Sequence, residues 1–195
     1  AGVTLYLHGS NKDKLEQVAV RCRDLGAEVL THACDARDDG NMRIWLEDVC
    51  RDTAPDLAIL AAGVNANIGP KGRGETLTDA QAVIETNLLA VINAIDCMLP
   101  AMRRQGGGQI ALVSSLAGYF GLPVTPSYCA SKAGLKAYGE ALRSWLDPEG
   151  IKVNVIMPGY VASPMCAAMP GPKPFLWQPE RAARAISRGL ERNRA

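Results

Sequence analysis

The chain has 195 residues, 48% apolar and 21% charged, with a formal net charge of +1. That length suits one domain with a substantial core, and a near-neutral balance gives no reason to expect nucleic acid or an anionic membrane as a partner. The longest apolar runs, such as 57–64, fall short of the ~20 residues of a membrane-spanning helix, and no basic-then-apolar leader opens the sequence.

Val3-Thr4-Leu5-Tyr6-Leu7 reads as a first strand. Asn11 is placed to cap a helix to about Leu25, with Leu15, Val18, Ala19, Cys22 and Leu25 on one face and Gly26 as its stop. A second strand covers 28–33. A helix follows over 39–52, marked by Ile44, Trp45 and Val49. Leu57 to Ala61 is a third strand, broken at Gly63. A polar, glycine-rich loop over 65–75 leads to Thr78, the expected cap of a long helix to about Gln105 with a kink at Pro100. The strand 109–114 comes next, then a helix over 127–146 with Leu135, Tyr138, Leu142 and Trp145 on one face. Ile151 to Met157 is the last strand. Pro158-Gly159 opens a proline-rich loop, and 178–192 is a basic amphipathic helix. Strict alternation of strand and helix predicts a single α/β domain over 1–195, a doubly wound parallel sheet of Rossmann-like form with helices on both faces.

Two spacings carry chemistry. Ser115 lies just past the carboxyl end of the strand 109–114, the edge at which open α/β sheets bind ligands. Tyr128 and Lys132 are four apart on the following helix and share a face. A cation beside a phenol lowers its pKa from the ordinary ~10, which permits proton transfer near neutral pH. Packing alone is the plainer alternative for each of these residues. The six cysteines form no Cys-x-x-Cys pair, and His8 and His32 are too few and wrongly spaced for a metal or a hydrolase triad. No metal site is expected, and scattered reduced thiols point to the cytoplasm.

In order along the chain, Asp35 after the second strand, Ala61-Ala62-Gly63 after the third, Asn87 in the long helix, Ser115, the Tyr128/Lys132 pair and Pro158-Gly159 resemble the motifs of the short-chain dehydrogenase/reductase family, classical type. Asn87 stands 28 positions before Ser115, and Ser115 stands 13 before Tyr128, as the family's catalytic set requires. The resemblance implies an NAD(P)-dependent oxidoreductase that moves a hydride between nicotinamide and a carbonyl or alcohol. In it Tyr128 is the general acid or base, and Lys132 tunes the phenol and holds the nicotinamide ribose. Ser115 binds the substrate oxygen, and Asn87 anchors a relay water. The family alternatives are a non-catalytic or truncated binding protein and an isomerase or epimerase.

The same resemblance implies cofactor contacts at Asp35 and Ala36 for adenine, Ala62 and Gly63 for its ribose, and Pro158, Gly159, Val161 and Ser163 for the nicotinamide end. Ser10 and Asn11 follow the first strand, where NAD-selective members carry an acid. Gly9 takes that acid's place, with Lys12 and Lys14 beyond, so NADP(H) is favoured over NAD(H). Loops 64–75 and 160–177 with Tyr119, Phe120 and Leu122 would enclose a small-molecule substrate. Met165, Met169, Phe175 and Trp177 make that pocket apolar, or else pack the lid onto the body. A homodimer or homotetramer is implied through the helices 78–105 and 127–146. The family's opening strand, first helix, Thr-Gly-x-x-x-Gly-x-Gly turn and C-terminal strand find no match here. A parallel sheet without its central strand would expose a wide apolar gap, so the sequence is expected to omit residues of a longer protein.

Overall fold

The computed structural model describes residues 2–67 and 74–193. Its strands are β1 (Thr4–His8), β2 (Glu28–His32), β3 (Leu57–Leu60), β4 (Gly108–Val113) and β5 (Ile151–Ile156). The helices are α1 (Lys12–Asp24), α2 (Asp39–Val49), α3 (Leu77–Ile84), α4 (Ala90–Gln105), α5 (Pro126–Leu146), α6 (Pro164–Ala168) and α7 (Pro179–Glu191). Every strand pair is parallel, as strands joined through helices must be. The pairing forms two ladders, β1-β2 and β3-β4-β5, rather than one continuous sheet. Tyr6, Leu57 and Ile59 on β1 and β3, each paired along one side, remain exposed.

The core lies between β3-β4-β5 and the long helices. Ile110, Leu112, Ile151 and Val153 supply the sheet side, while Ile95, Met98, Met102, Leu135, Leu142 and Leu146 supply the helix side. The β1-β2 ladder joins this body through α2, which packs on α4 and buries Leu46. The helical stretch Leu77–Gln105 is long and apolar enough, by length and composition, to cross a bilayer. Here its apolar residues Val83, Val91, Ile95, Met98 and Met102 are buried in the protein core instead.

Several local expectations are corrected. Thr76, not Thr78, caps the long helix, its Oγ accepting from the Asp79 amide at 3.1 Å. Pro100, where a kink was expected, lies inside the helix. Its missing donor costs one ladder bond, and the helix runs on through the buried Leu99, Ala101 and Met102. The irregularity sits earlier, as a π turn over Glu85–Leu89. Val18 and Leu25 of α1 are exposed because only Leu15 and Ala19 meet the ladder. Ile44 is likewise exposed, and Leu46 is the buried residue of α2. Trp145 is 58% exposed and lies beneath the Arg103 guanidinium at 5.3 Å instead of in the core. The proline-rich segment, read as loop, contains the short helix α6. Residues 68–73 of the loop expected to close the substrate pocket lie outside the described residues.

Gly139 brings α5 onto the sheet. A Cβ there would stand 2.5 Å from Val155 Cγ2 and 2.7 Å from Leu112 Cδ1. Alanine at a helical glycine gains about 1 kcal/mol of propensity, while overpacking costs roughly 1–3 kcal/mol. Gly189 in α7 has nothing within 4 Å of the same point. Gly139→Ala is therefore expected to lower the denaturation midpoint, and Gly189→Ala to raise it by about 1 kcal/mol. Urea unfolding of the two variants beside the parent checks both signs.

Candidate active site

Parallel strands all deliver their chain ends to one edge of the sheet. Ser10 and Asn11 follow β1, Asp35 and Ala36 follow β2, and Ala62 and Gly63 follow β3. Ser115 follows β4, and Pro158, Gly159, Val161 and Ser163 follow β5. The residues singled out after strands thus lie past the carboxyl ends of their own ladder's strands, where α/β folds hold ligands.

At that edge α5 carries Tyr128 and Lys132. Pro126 opens α5 at a position where a missing N–H costs nothing. The Glu75 carboxylate accepts from the Ser127 amide at 3.1 Å, which favours a helix N-terminus on charge grounds as well. Thr125, fully buried, donates to the Ala66 carbonyl at 2.7 Å and so ties the loop after β3 to the same helix end. Tyr128 is largely buried there, with Ser115 near enough to act on its phenol. Burial pushes the phenol pKa up, and the Ser115 bond opposes that shift. The expected lowering of this pKa by Lys132 is not what dominates here, because desolvation is the larger effect on a buried phenol.

Lys132 is 4% exposed. Its ammonium donates to the Val113 carbonyl at 2.8 Å, at the end of β4, and stands 5.7 Å from the Tyr128 ring centre. Burial lowers its pKa from 10.5 to about 8. The surroundings are trimmed to admit it. A Cβ on Gly63 would lie 3.5 Å from Lys132 Nζ and 3.4 Å from Asn87 Oδ1, and a Cβ on Gly118 would lie 2.9 Å from the Lys132 carbonyl. Ser114 is buried and donates to that same carbonyl at 2.7 Å. The alternative hydroxyl of the Ser114-Ser115 pair thus serves the helix backbone, while Ser115 faces Tyr128.

Asn87 is fully buried in the π turn. Its Oδ1 accepts from the Val64 amide at 2.8 Å, and its Nδ2 donates to the Val64 carbonyl at 2.9 Å and to Ser131 Oγ at 3.0 Å. Ser131 was not distinguished in the sequence. Its only signal there was its place directly before Lys132.

The residues expected at the adenine are Asp35 and Ala36, with Ser10 and Asn11 after β1. Asn11 Oδ1 accepts from the Lys14 amide at 2.9 Å and caps α1. Asp35 is gripped by Arg37, with Nη2 at 2.6 Å and the amide at 2.9 Å, and these bonds hold its carboxyl at about 2. His8 and His32, far apart in sequence, are register partners on β1 and β2. His8 Nε2 lies 3.0 Å from the Cys34 carbonyl, and Trp45 stacks on His32 at 5.0 Å. Among the described residues, no group of three or more His, Cys, Asp or Glu is placed to hold a metal ion.

After β5, the Pro158 carbonyl accepts from the Leu116 amide at 3.0 Å, and Ser163 Oγ accepts from the Cys166 amide at 3.1 Å, capping α6. Val161 bridges Trp177, whose ring lies 4.2 Å below Arg181. Trp177 therefore fastens the segment to the body, whereas Phe175 is 91% exposed at φ 56°.

A family model described as short chain dehydrogenase matches residues 1–171. An uncharacterised oxidoreductase of Mycobacterium tuberculosis is 31% identical over 193 residues, which is 97% of this chain and 76% of that protein. The chain spans only 42% of another uncharacterised oxidoreductase from the same species, at 41% identity over 107 residues. The apo form of LigD from Sphingobium sp. strain SYK-6 superimposes with a TM-score of 0.82 at 28% identity, covering 97% of this chain and 76% of that one. A gluconate 5-dehydrogenase from Burkholderia cenocepacia, solved with NADP and tartrate, shares the fold with a TM-score of 0.73 at 22% identity, over 82% of this chain and 62% of its own. Strand order, the Ser115/Tyr128/Lys132 cluster and these likenesses agree: the chain belongs to the short-chain dehydrogenase family of oxidoreductases.

Proposed function

We propose that this protein interconverts a carbonyl compound and its alcohol by hydride transfer with a nicotinamide cofactor, NADP(H) in preference to NAD(H). The observation that carries the reading is the buried ammonium of Lys132 held at the end of β4 beside the Tyr128 ring, with Ser115 directly after that strand. The residues present fit such a cofactor. Gly63 leaves the main chain bare above Lys132 and Asn87, so a ribose can approach that ammonium. When bound, the nicotinamide supplies or accepts the hydride.

The chain's own groups do the rest. The Tyr128 hydroxyl donates its proton to the carbonyl oxygen as negative charge develops there, and Ser115 donates a hydrogen bond to the same oxygen. An ammonium has three donors. Val113 takes one from Lys132, and the others would fall to the ribose hydroxyls. Its positive charge near the phenol favours the phenolate left after proton transfer. With Asn87's amide spent on Val64 and Ser131, a relay water would be held by the main chain of the π turn, where the ordinary helix ladder is interrupted. Ser10, Asn11, Lys12 and Lys14 at the end of β1 offer no acid against a 2′-phosphate, and the neighbour solved with NADP supports that preference. The exposed Tyr119, Phe120 and Phe175 near this edge support a substrate with apolar bulk.

Three outcomes test this reading. Tyr128→Phe is expected to reduce NADPH oxidation with a ketone by at least about a hundredfold, the usual range for a lost general acid, while fluorescence titration shows the cofactor still bound. Full turnover in that variant contradicts the mechanism. Lys12→Glu with Lys14→Glu is expected to raise the KM for NADPH and leave that for NADH nearly unchanged. Equal effects on both cofactors would remove the basis for the NADP preference.

The third outcome concerns Lys132 and pH. Its folded pKa of about 8 lies below the ordinary 10.5, so the unfolded chain binds more protons between those values and stability rises with pH across that window. Below pH 8 the buried ammonium is a net cost to folding. Lys132→Met is therefore expected to abolish turnover yet raise the melting temperature at pH 7, with the advantage shrinking as pH approaches 10. Calorimetry at the two pH values reads both parts.

A further inference from the structure

We propose that Ser131 is a positioning residue that couples the cofactor-floor loop after β3 to the acid–base helix. This inference rests on the reading of the site given above. Ser131 is fully buried and touches neither Tyr128's hydroxyl nor Lys132's ammonium. Its hydroxyl has one proton, and that proton goes to the Tyr128 carbonyl at 2.8 Å. The oxygen is then only an acceptor toward Asn87, whose Nδ2 lies 3.0 Å away. A side-chain amide is nearly symmetric in shape, so its orientation is set by which neighbours donate and which accept. Ser131 settles that choice. With Nδ2 held toward Ser131, Oδ1 must face the Val64 amide and Nδ2 the Val64 carbonyl, and both bonds form at 2.8 and 2.9 Å. Asn87 thereby pairs with Val64 as a second strand would.

The consequence is a continuous line of hydrogen bonds from the Tyr128 backbone through Ser131 and Asn87 to Val64. Val64 follows Gly63, whose bare main chain lies against Lys132 Nζ. If the amide turned over, Oδ1 would confront Ser131 Oγ and the Val64 carbonyl, two acceptors, and the Val64 amide would lose its partner. Buried and unpaired, those groups would push the loop away. The height of the ribose floor over Lys132, and the alignment of Tyr128 with the reacting carbon, are thus set by one hydroxyl outside the reaction.

The test is a double-mutant cycle on the full chain with two readouts. Ser131→Ala is expected to lower kcat about tenfold and leave the substrate KM within about twofold, because Ser131 touches no substrate. Ser131→Thr, which keeps the hydroxyl, is expected to restore most of the rate. In an Asn87→Ala background, Ser131→Ala is expected to add little, since the coupling is already gone. Independently of turnover, hydrogen exchange at the Val64 amide is expected to quicken in Ser131→Ala and return toward the parent rate in Ser131→Thr. Additive losses in the cycle, or unchanged Val64 exchange in Ser131→Ala, would overturn the proposal. If the parent enzyme reduces no carbonyl compound while the exchange result holds, the functional reading fails and the coupling stands. Should Ser131→Ala unfold, Ser131→Cys with its weaker donor gives the same comparison.

Discussion

An ammonium buried at the end of a strand is the constraint on which this structure turns. Removing a charge from water is expensive unless partners replace the lost hydration. Lys132 receives the Val113 carbonyl, and its environment is shaped to let that happen. Ser114 fastens the Lys132 backbone to the end of β4, Gly118 lets the turn after Ser115 press against α5, and Gly63 keeps the opposite wall open. The cost survives in the lowered Lys132 pKa. Proteins accept local destabilisation of this kind where function needs it. A lysine on the solvent face of α5 would have been cheaper and, on the proposed mechanism, of no use.

The fold supplies the rest of the geometry with little tuning. Within each parallel ladder the chain ends leave at one edge, so residues 62 to 163 after β3, β4 and β5 share the rim of the larger ladder. Two of the ends belong to a ladder that does not pair with the other three. Ser115, Tyr128 and Lys132 sit on the larger ladder and its helices, as do Ala62 and Gly63, while Ser10, Asn11, Asp35 and Ala36 follow the strands of the smaller one. The acid–base cluster therefore has its own packed core beneath it, built from Ile110, Leu112, Leu135 and Val153.

Much of this was legible in the sequence, and what was not has identifiable causes. Periodicity and glycine or proline punctuation located all five strands and the longer helices to within a few residues. The spacing of Ser115, Tyr128 and Lys132 made their neighbourhood legible because a strand end and one helical turn fix those residues in space. Helix faces were less legible. Val18, Ile44 and Trp145 have helical spacing but are exposed, since periodicity says which residues share a face and not how much of that face a two-stranded ladder can cover. The π turn around Asn87, whose side chain bonds Val64 and Ser131, left no local mark. Long-range pairs such as Glu75 with Ser127, or His8 with His32, depend on topology and could not be read from spacing. The direction of the Tyr128 shift also needed burial, which a sequence does not state.

The central claim is that Tyr128 and Lys132 serve hydride transfer from a nicotinamide. Stopped-flow decay of NADPH absorbance with a bulky ketone, run with ordinary cofactor and with cofactor deuterated at the transferable position, tests it most directly. The account predicts a slower decay with the deuterated cofactor and deuterium on the carbinol carbon of the product. Product that carries no deuterium, formed while the cofactor absorbance stays constant, would contradict it.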